Sequence, residues 1–133
     1  MFRVSTKSQY GLRAMVYLAL HKNEICSLKE ISQKEGISFD YLEKIVSQLE
    51  KTGLLKSKKG SRGGYSLAKP SSKIKIGEII RAVEGNAALV ECTSKSGCCP
   101  MIKKCFAKKF WEKLQKSLNA TLNSLTLADL IKK

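Results

Sequence analysis

The sequence predicts a mainly α protein with one small β-wing: a winged helix-turn-helix domain followed by a long C-terminal dimerisation helix. Three observations predict it. Two short helical patterns meet across "EGIS" (35–38), too tightly for anything but a helix-turn-helix. A basic glycine-rich loop, "KKGSRGG" (58–64), follows directly between two extended runs. Apolar residues then recur at threes and fours from Met101 to Leu122, with lysines between them. The 133 residues suffice for one ordinary domain with a real core and an extra helix or two.

Each element has its own justification. Thr6 to about Lys22 reads as a buried first helix, capped by Ser5 or Thr6, with Tyr10, Ala14, Met15, Tyr17, Leu18 and Leu20 as a broad apolar face. His21 near its end suits a capping role. Ser27 and Glu30 have capping-box spacing before a short second helix that Gly36 stops. Ser38 caps the third helix, Asp40 and Glu43 suit its positive first turns, and Leu42, Ile45, Val46 and Leu49 form one stripe before Gly53. Leu54 and Leu55 open a hairpin whose second strand is "YSLA", ended by Pro70. "IKIGEIIRAVEG" (74–85) is a fourth helix with Ile76, Ile79, Ile80 and Val83 buried. Pro100 to Asn123 forms a long amphipathic helix whose stripe is a dimer-interface candidate, and "LTLADL" adds a short closing helix.

The chain therefore divides into a winged helix-turn-helix DNA-binding domain (1–85), a cysteine-rich sensor loop (86–100), and the dimerisation and closing helices (101–133). Its 25 Lys and Arg against 11 Asp and Glu leave a formal charge of +14, which points to a polyanionic partner. Double-stranded DNA comes first, because phosphates reward dispersed cations through counterion release. No stretch approaches the ~20 apolar residues of a membrane span, so no membrane partner is expected. The N-terminus reads as that of a mature cytoplasmic protein. Catalysis finds no constellation: His21 is the only histidine, and "SRGGY" matches no phosphate-loop or dinucleotide spacing. The chain is not expected to be an enzyme.

On the third helix, Ser38, Asp40, Tyr41, Glu43, Lys44 and Ser47 are candidates for base edges and phosphates. Glu43 cannot bind phosphate but can accept from a cytosine amino group; pairing with a lysine is the plainer alternative. In the wing, Lys58, Lys59 and Arg62 surround glycines thin enough to let an arginine reach a narrow minor groove.

Cys92, Cys98, Cys99 and Cys105 crowd into "ECTSKSGCCPMIKKCFAKKFW" (91–111) among lysines that would favour thiolates and soft metals. In a reducing compartment such a cluster points to metal or redox chemistry rather than a structural disulfide. Five residues separate Cys92 from Cys98 and five separate Cys99 from Cys105, wider than zinc knuckles favour and tolerable for an iron–sulfur cluster. The spacing leaves a cluster, a thiol switch, zinc and inert thiols all open. Cys26, apart from the others, reads as a small core residue.

Taken together, "STKSQYGLRAMVYLA", "ISFDYLEKIVSQLEKTGLLKS", "KGSRGGYSL", "IGEIIRAVEG", the cysteine loop, the "FW" after it and "LTLADL" resemble the bacterial winged-helix regulators that include IscR, NsrR and CymR. The resemblance covers nearly the whole chain. It implies a homodimer with crossing long helices, and transcription control, often repression, gated by an iron–sulfur cluster. A 2Fe–2S cluster ranks ahead of 4Fe–4S. It places Tyr41 and Glu43 where IscR-like proteins read the operator, Lys59 and Arg62 in the family wing, and Cys92, Cys99 and Cys105 at the three cluster cysteines. Two departures follow. One extra residue between Cys92 and Cys99 makes Cys98 a substitute or additional ligand. Lys108 stands in place of a histidine ligand, and Gln9 where nitric-oxide-sensing members offer an acid.

The reading is a dimeric DNA-binding regulator, a repressor, sensing iron–sulfur status, oxidants or nitric oxide through a cysteine-ligated cluster. Two alternatives stand beside it: a cluster-free thiol-switch regulator, and a CymR-like regulator acting with a metabolic enzyme.

Overall fold

A computed structural model describes residues 3–85, 89 and 106–132. Helix α1 (Thr6–Leu20) starts on Ser5, whose Oγ accepts the Ser8 N–H at 3.1 Å. It buries Ala14, Met15, Tyr17, Leu18 and Ala19. The helix ends at Leu20 rather than Lys22, and Leu20 lies outside the apolar face at 62% exposure. The reason is local: the His21 N–H donates to the Tyr17 carbonyl at 3.1 Å, its ring Nδ1 lies 2.8 Å from the same oxygen, and Asn23 turns the chain at φ 70°.

Helix α2 (Leu28–Glu35) is capped by Ser27, whose Oγ accepts the Glu30 N–H at 3.1 Å. The expected reciprocal half of that capping box is absent, because the Glu30 carboxylate accepts the Tyr17 phenol instead. That bond ties α2 to α1 and holds the phenol's proton, raising its pKa well above the ordinary value; burial adds to the rise. Gly36 ends α2 in the left-handed region (φ 66°, ψ 33°), and the buried Ile37 turns the chain into α3 (Phe39–Lys51). Leu42, Ile45, Val46 and Leu49 are buried as the stripe predicts.

Strands β1 (Leu55–Lys58) and β2 (Gly64–Leu67) form the antiparallel wing, with Leu55 opposite Leu67 and Ser57 opposite Tyr65. Cys26, fully buried as expected, adds a one-residue bridge to Tyr65. Helix α4 (Ile76–Glu84) buries Ile76, Gly77, Ile79 and Val83, while Ile80 is only half-buried.

Helix α5 spans Lys108–Ser124, so the helix expected from Pro100 is shorter where it is described: Phe106 and Ala107 form a turn. Residues 100–105 lie outside the described part. Ala107 offers no side-chain cap, and the first turn carries Lys108 and Lys109 and no acid, so cations face the positive end of the dipole. Along α5 only Gln115 is buried; Phe106 is 98% and Phe110 57% exposed. The helix closes on α4 at Gly77, where an added Cβ would stand 3.1 Å from the Leu122 carbonyl oxygen.

Helix α6 (Leu127–Ile131) opens with a capping box between Thr126 and Asp129. The Leu127 N–H donates to the Ile74 carbonyl at 2.8 Å and the Ile76 N–H to the Leu125 carbonyl at 3.0 Å. Leu127 is fully buried in the same core as Met15, Ile74 and Ile79. The closing helix is thus sewn into the winged-helix core.

Candidate nucleic-acid interface

Opposite the buried stripe of α3, Asp40, Lys44, Ser47 and Lys51 follow at intervals of four, three and four, which puts them on one outward row. Asp40, Lys44 and Lys51 are exposed and Ser47 half-buried. Tyr41, Glu43, Lys44 and Ser47 line one shallow groove together with Gln48, Lys51 and Lys7. Ser38 and Asp40 are exposed at the start of the helix but do not line it. The Ser38 hydroxyl is already in use, accepting the Tyr41 N–H at 3.3 Å.

Tyr41 is held rather than free. Its ring meets Tyr10 edge to face, centroids 5.6 Å apart. The Arg13 guanidinium sits 5.7 Å from the Tyr10 centroid and reaches Glu35 at the end of α2. One side of α3 is therefore braced by α1.

The other side faces the base of the wing. Burial raises the pKa of the Tyr65 phenol, and the Glu50 and Glu43 carboxylates raise it further. Beyond them Lys56, Lys58, Lys59 and Arg62 are all exposed. The loop between the strands can stay thin because Gly60 takes φ 112° and a Cβ on Gly63 would strike the Lys58 carbonyl oxygen at 2.1 Å. The wing base is pinned by the buried Leu54 and Leu55.

The arrangement supplies cations for phosphates along both flanks, with Glu43, Ser47 and Gln48 as groups able to read base edges. Lys7, Gln48 and Lys51 were not expected from the sequence. Gln48 and Lys51 were legible as polar positions on the third helix, but Lys7 reaches the groove only through the packing of α1 on α3.

Cys92, Cys98, Cys99 and Cys105 lie outside the described residues. Among the described residues no group of three His, Cys, Asp or Glu side chains comes together to hold a metal ion. The two departures can be located. The Lys108 ammonium pairs with Glu112 at 3.4 Å, and the Gln9 amide donates to the Val4 carbonyl at 3.0 Å. No helix among the described residues is long and apolar enough to cross a membrane.

Comparison with known proteins agrees with this architecture. The protein rrf2 of Nitratidesulfovibrio vulgaris is 38% identical over 131 residues, spanning 98% of this chain and 87% of its own. The structure of IscR from T. potens superposes with a TM-score of 0.80 at 40% identity, covering 98% of this chain and 86% of that one. CymR (YrzC), the global cysteine regulator of B. subtilis, superposes with a TM-score of 0.79 at 37% identity, covering 98% and 96%. These neighbours share the winged-helix fold. The family model Rrf2, described as an iron-dependent transcriptional regulator, matches residues 4–133. The chain belongs to the Rrf2 family of transcriptional regulators.

Proposed function

We propose that this regulator works as a homodimer on double-stranded DNA, as a repressor, and that an iron–sulfur cluster held by its cysteine segment sets its affinity. The observation that carries the DNA part is the groove in which Tyr41, Glu43, Lys44 and Ser47 meet Lys7 and Lys51, next to a basic wing. Lys44, Lys51 and the wing lysines contact phosphates, Arg62 enters the minor groove, and Glu43 accepts from a base amino group.

The cluster reading rests on the donor set. Four thiols within fourteen residues, Cys92, Cys98, Cys99 and Cys105, match the all-thiolate ligation that iron–sulfur clusters use. Lys108 and Gln9 carry neither the imidazole nor the carboxylate that other members offer there, so Cys98 is the fourth ligand in this reading. When bound, the cluster supplies a link among the thiols that iron supply, oxidants or nitric oxide can alter. The chain follows α4 into this segment and leaves it into α5, so a cluster held there acts on the elements at both of its ends.

Dimerisation rests on α5. Its seventeen residues run about 25 Å. Phe110 and Trp111 meet edge to face at 5.0 Å, and Phe110, like Phe106 just before the helix, is exposed in one chain. A second copy of α5 covers it.

Anaerobic reconstitution with iron and sulfide tests the cluster. The expected result is iron and sulfide in equal amounts with a visible charge-transfer band, both lost in Cys92→Ser. Uptake of neither, or uptake unchanged by Cys92→Ser, overturns it. Disulfides found by mass analysis in oxidised iron-free protein would favour the thiol-switch reading instead.

A further inference from the structure

We propose that Glu84 is a positioning residue for DNA binding: by clasping Ser5 and Ser8 it sets the start of α1, and with it Lys7, in the groove beside α3. The inference rests on the DNA-binding reading and adds a contact and its support. Ser8 is a polar residue only 2% exposed, and its hydroxyl donates to Glu84 Oε1 at 2.7 Å. The Ser5 hydroxyl donates to the same oxygen. The carboxylate sits at the positive end of α1, where an anion is most stable. Lys7, between the two serines, is exposed and lines the groove with Lys44 and Lys51.

Glu84 is also the last residue of α4, and Gly85 (φ 79°) follows it. One carboxylate therefore joins the point where the chain leaves α4 to the helix that braces α3. Tyr10 against Tyr41 and Arg13 on Glu35 hold the next turns of α1 in place. Lys7 thus approaches DNA from a side that neither the recognition helix nor the wing occupies, and its aim depends on a group that touches no DNA.

The sign of one substitution separates this from simple electrostatics. Deleting an acid from a protein that binds a polyanion should tighten binding, whereas losing the clasp should weaken it. Binding of the full-length chain to a mixed-sequence duplex of roughly 30 base pairs is followed across a salt series. Lys7→Gln is expected to weaken binding about three- to tenfold and to lower the salt slope by about 1.8, one phosphate contact of about 0.9 from each protomer of the dimer. Glu84→Ala should do the same despite its charge change. Glu84→Gln, whose amide oxygen still accepts from both serines, should bind like wild type. The Lys7→Gln, Glu84→Ala double variant should be no weaker than Lys7→Gln alone.

Equal or tighter binding by folded Glu84→Ala, or additive losses in the double variant, overturns the proposal. If circular dichroism shows Glu84→Ala unfolded, the charge-neutral Ser8→Ala carries the test: it should weaken binding in the same direction, and wild-type binding overturns the proposal. Arg62→Ala distinguishes the two levels. Weakening there with none in Lys7→Gln sinks this inference alone, while no duplex binding by wild type sinks the DNA reading.

Discussion

The backbones of Cys26 and Tyr65 pair in both directions, with the Cys26 N–H donating at 3.0 Å and its carbonyl accepting at 2.8 Å. This bridge fastens the wing to the residue just before the helix-turn-helix, so wing and recognition helix share one frame. Gly64 makes it possible, since a Cβ there would lie 2.3 Å from the Cys26 carbonyl oxygen. Gly64→Ala should cost about 1–3 kcal/mol through forced backbone movement. Urea unfolding measures the loss, and an unchanged midpoint would mean that the wing is not held by this bridge.

Tyr10 orients Tyr41 by edge-to-face contact. Tyr10→Leu keeps an apolar side chain but loses the ring pair, so about 1 kcal/mol of stability should go. Duplex affinity should fall by more than that stability loss explains, because Tyr41 loses its fixed direction in the groove. Titration of the folded variant with duplex DNA checks this.

Burial pushes the Cys26 thiol up from 9.0 to about 11, and the Glu30 carboxylate adds to the rise. A raised pKa means the folded state favours the neutral thiol. The associated stability is complete below pH 9 and is lost as pH climbs from 9 to 11, on the order of 3 kcal/mol in total. Chemical unfolding at pH 8 and pH 10.5 should show the decline. Cys26→Ala should flatten the part due to the thiol, leaving the contributions of Tyr17 and Tyr65 above the ordinary phenol pKa of 10.0.

Phe110 is more than half exposed on a helix that buries only Gln115. Phe110→Glu should therefore leave the single chain's fold intact while placing like charges in the α5 seam. Light scattering is expected to show a shift from dimer to monomer with little change in helix content. A variant that remains dimeric would place the dimer contact elsewhere.

The local elements were legible because their signals are local. Ser38, Gly36 and the stripe from Leu42 to Leu49 define α3 without outside help, and the glycines of the wing loop mark the hairpin. What failed was decided by tertiary competition. Glu30 has the spacing of a capping box, but a buried phenol 13 residues earlier takes its carboxylate. Leu20 continues an apolar pattern that His21 cuts off. The apolar periodicity assigned to α5 runs through Phe106 and Ala107, which form a turn with no side-chain cap before Lys108 and Lys109.

The proposed interface was half legible for the same reason. Tyr41, Glu43, Lys44 and Ser47 follow from the helix face alone, and the groove gathers them. Lys7 is 34 residues from Tyr41 in sequence, and nothing near it signals DNA. Its place depends on aromatic packing between α1 and α3 and on a carboxylate at the far end of α4.

Duplexes selected from a random pool by the iron-loaded protein, then titrated without oxygen against iron-loaded and iron-free protein, put the whole proposal at risk. The predicted result is a pair of half-sites and an affinity that changes at least about tenfold, roughly 1.4 kcal/mol, when the iron is removed. Equal affinity with and without iron would contradict it.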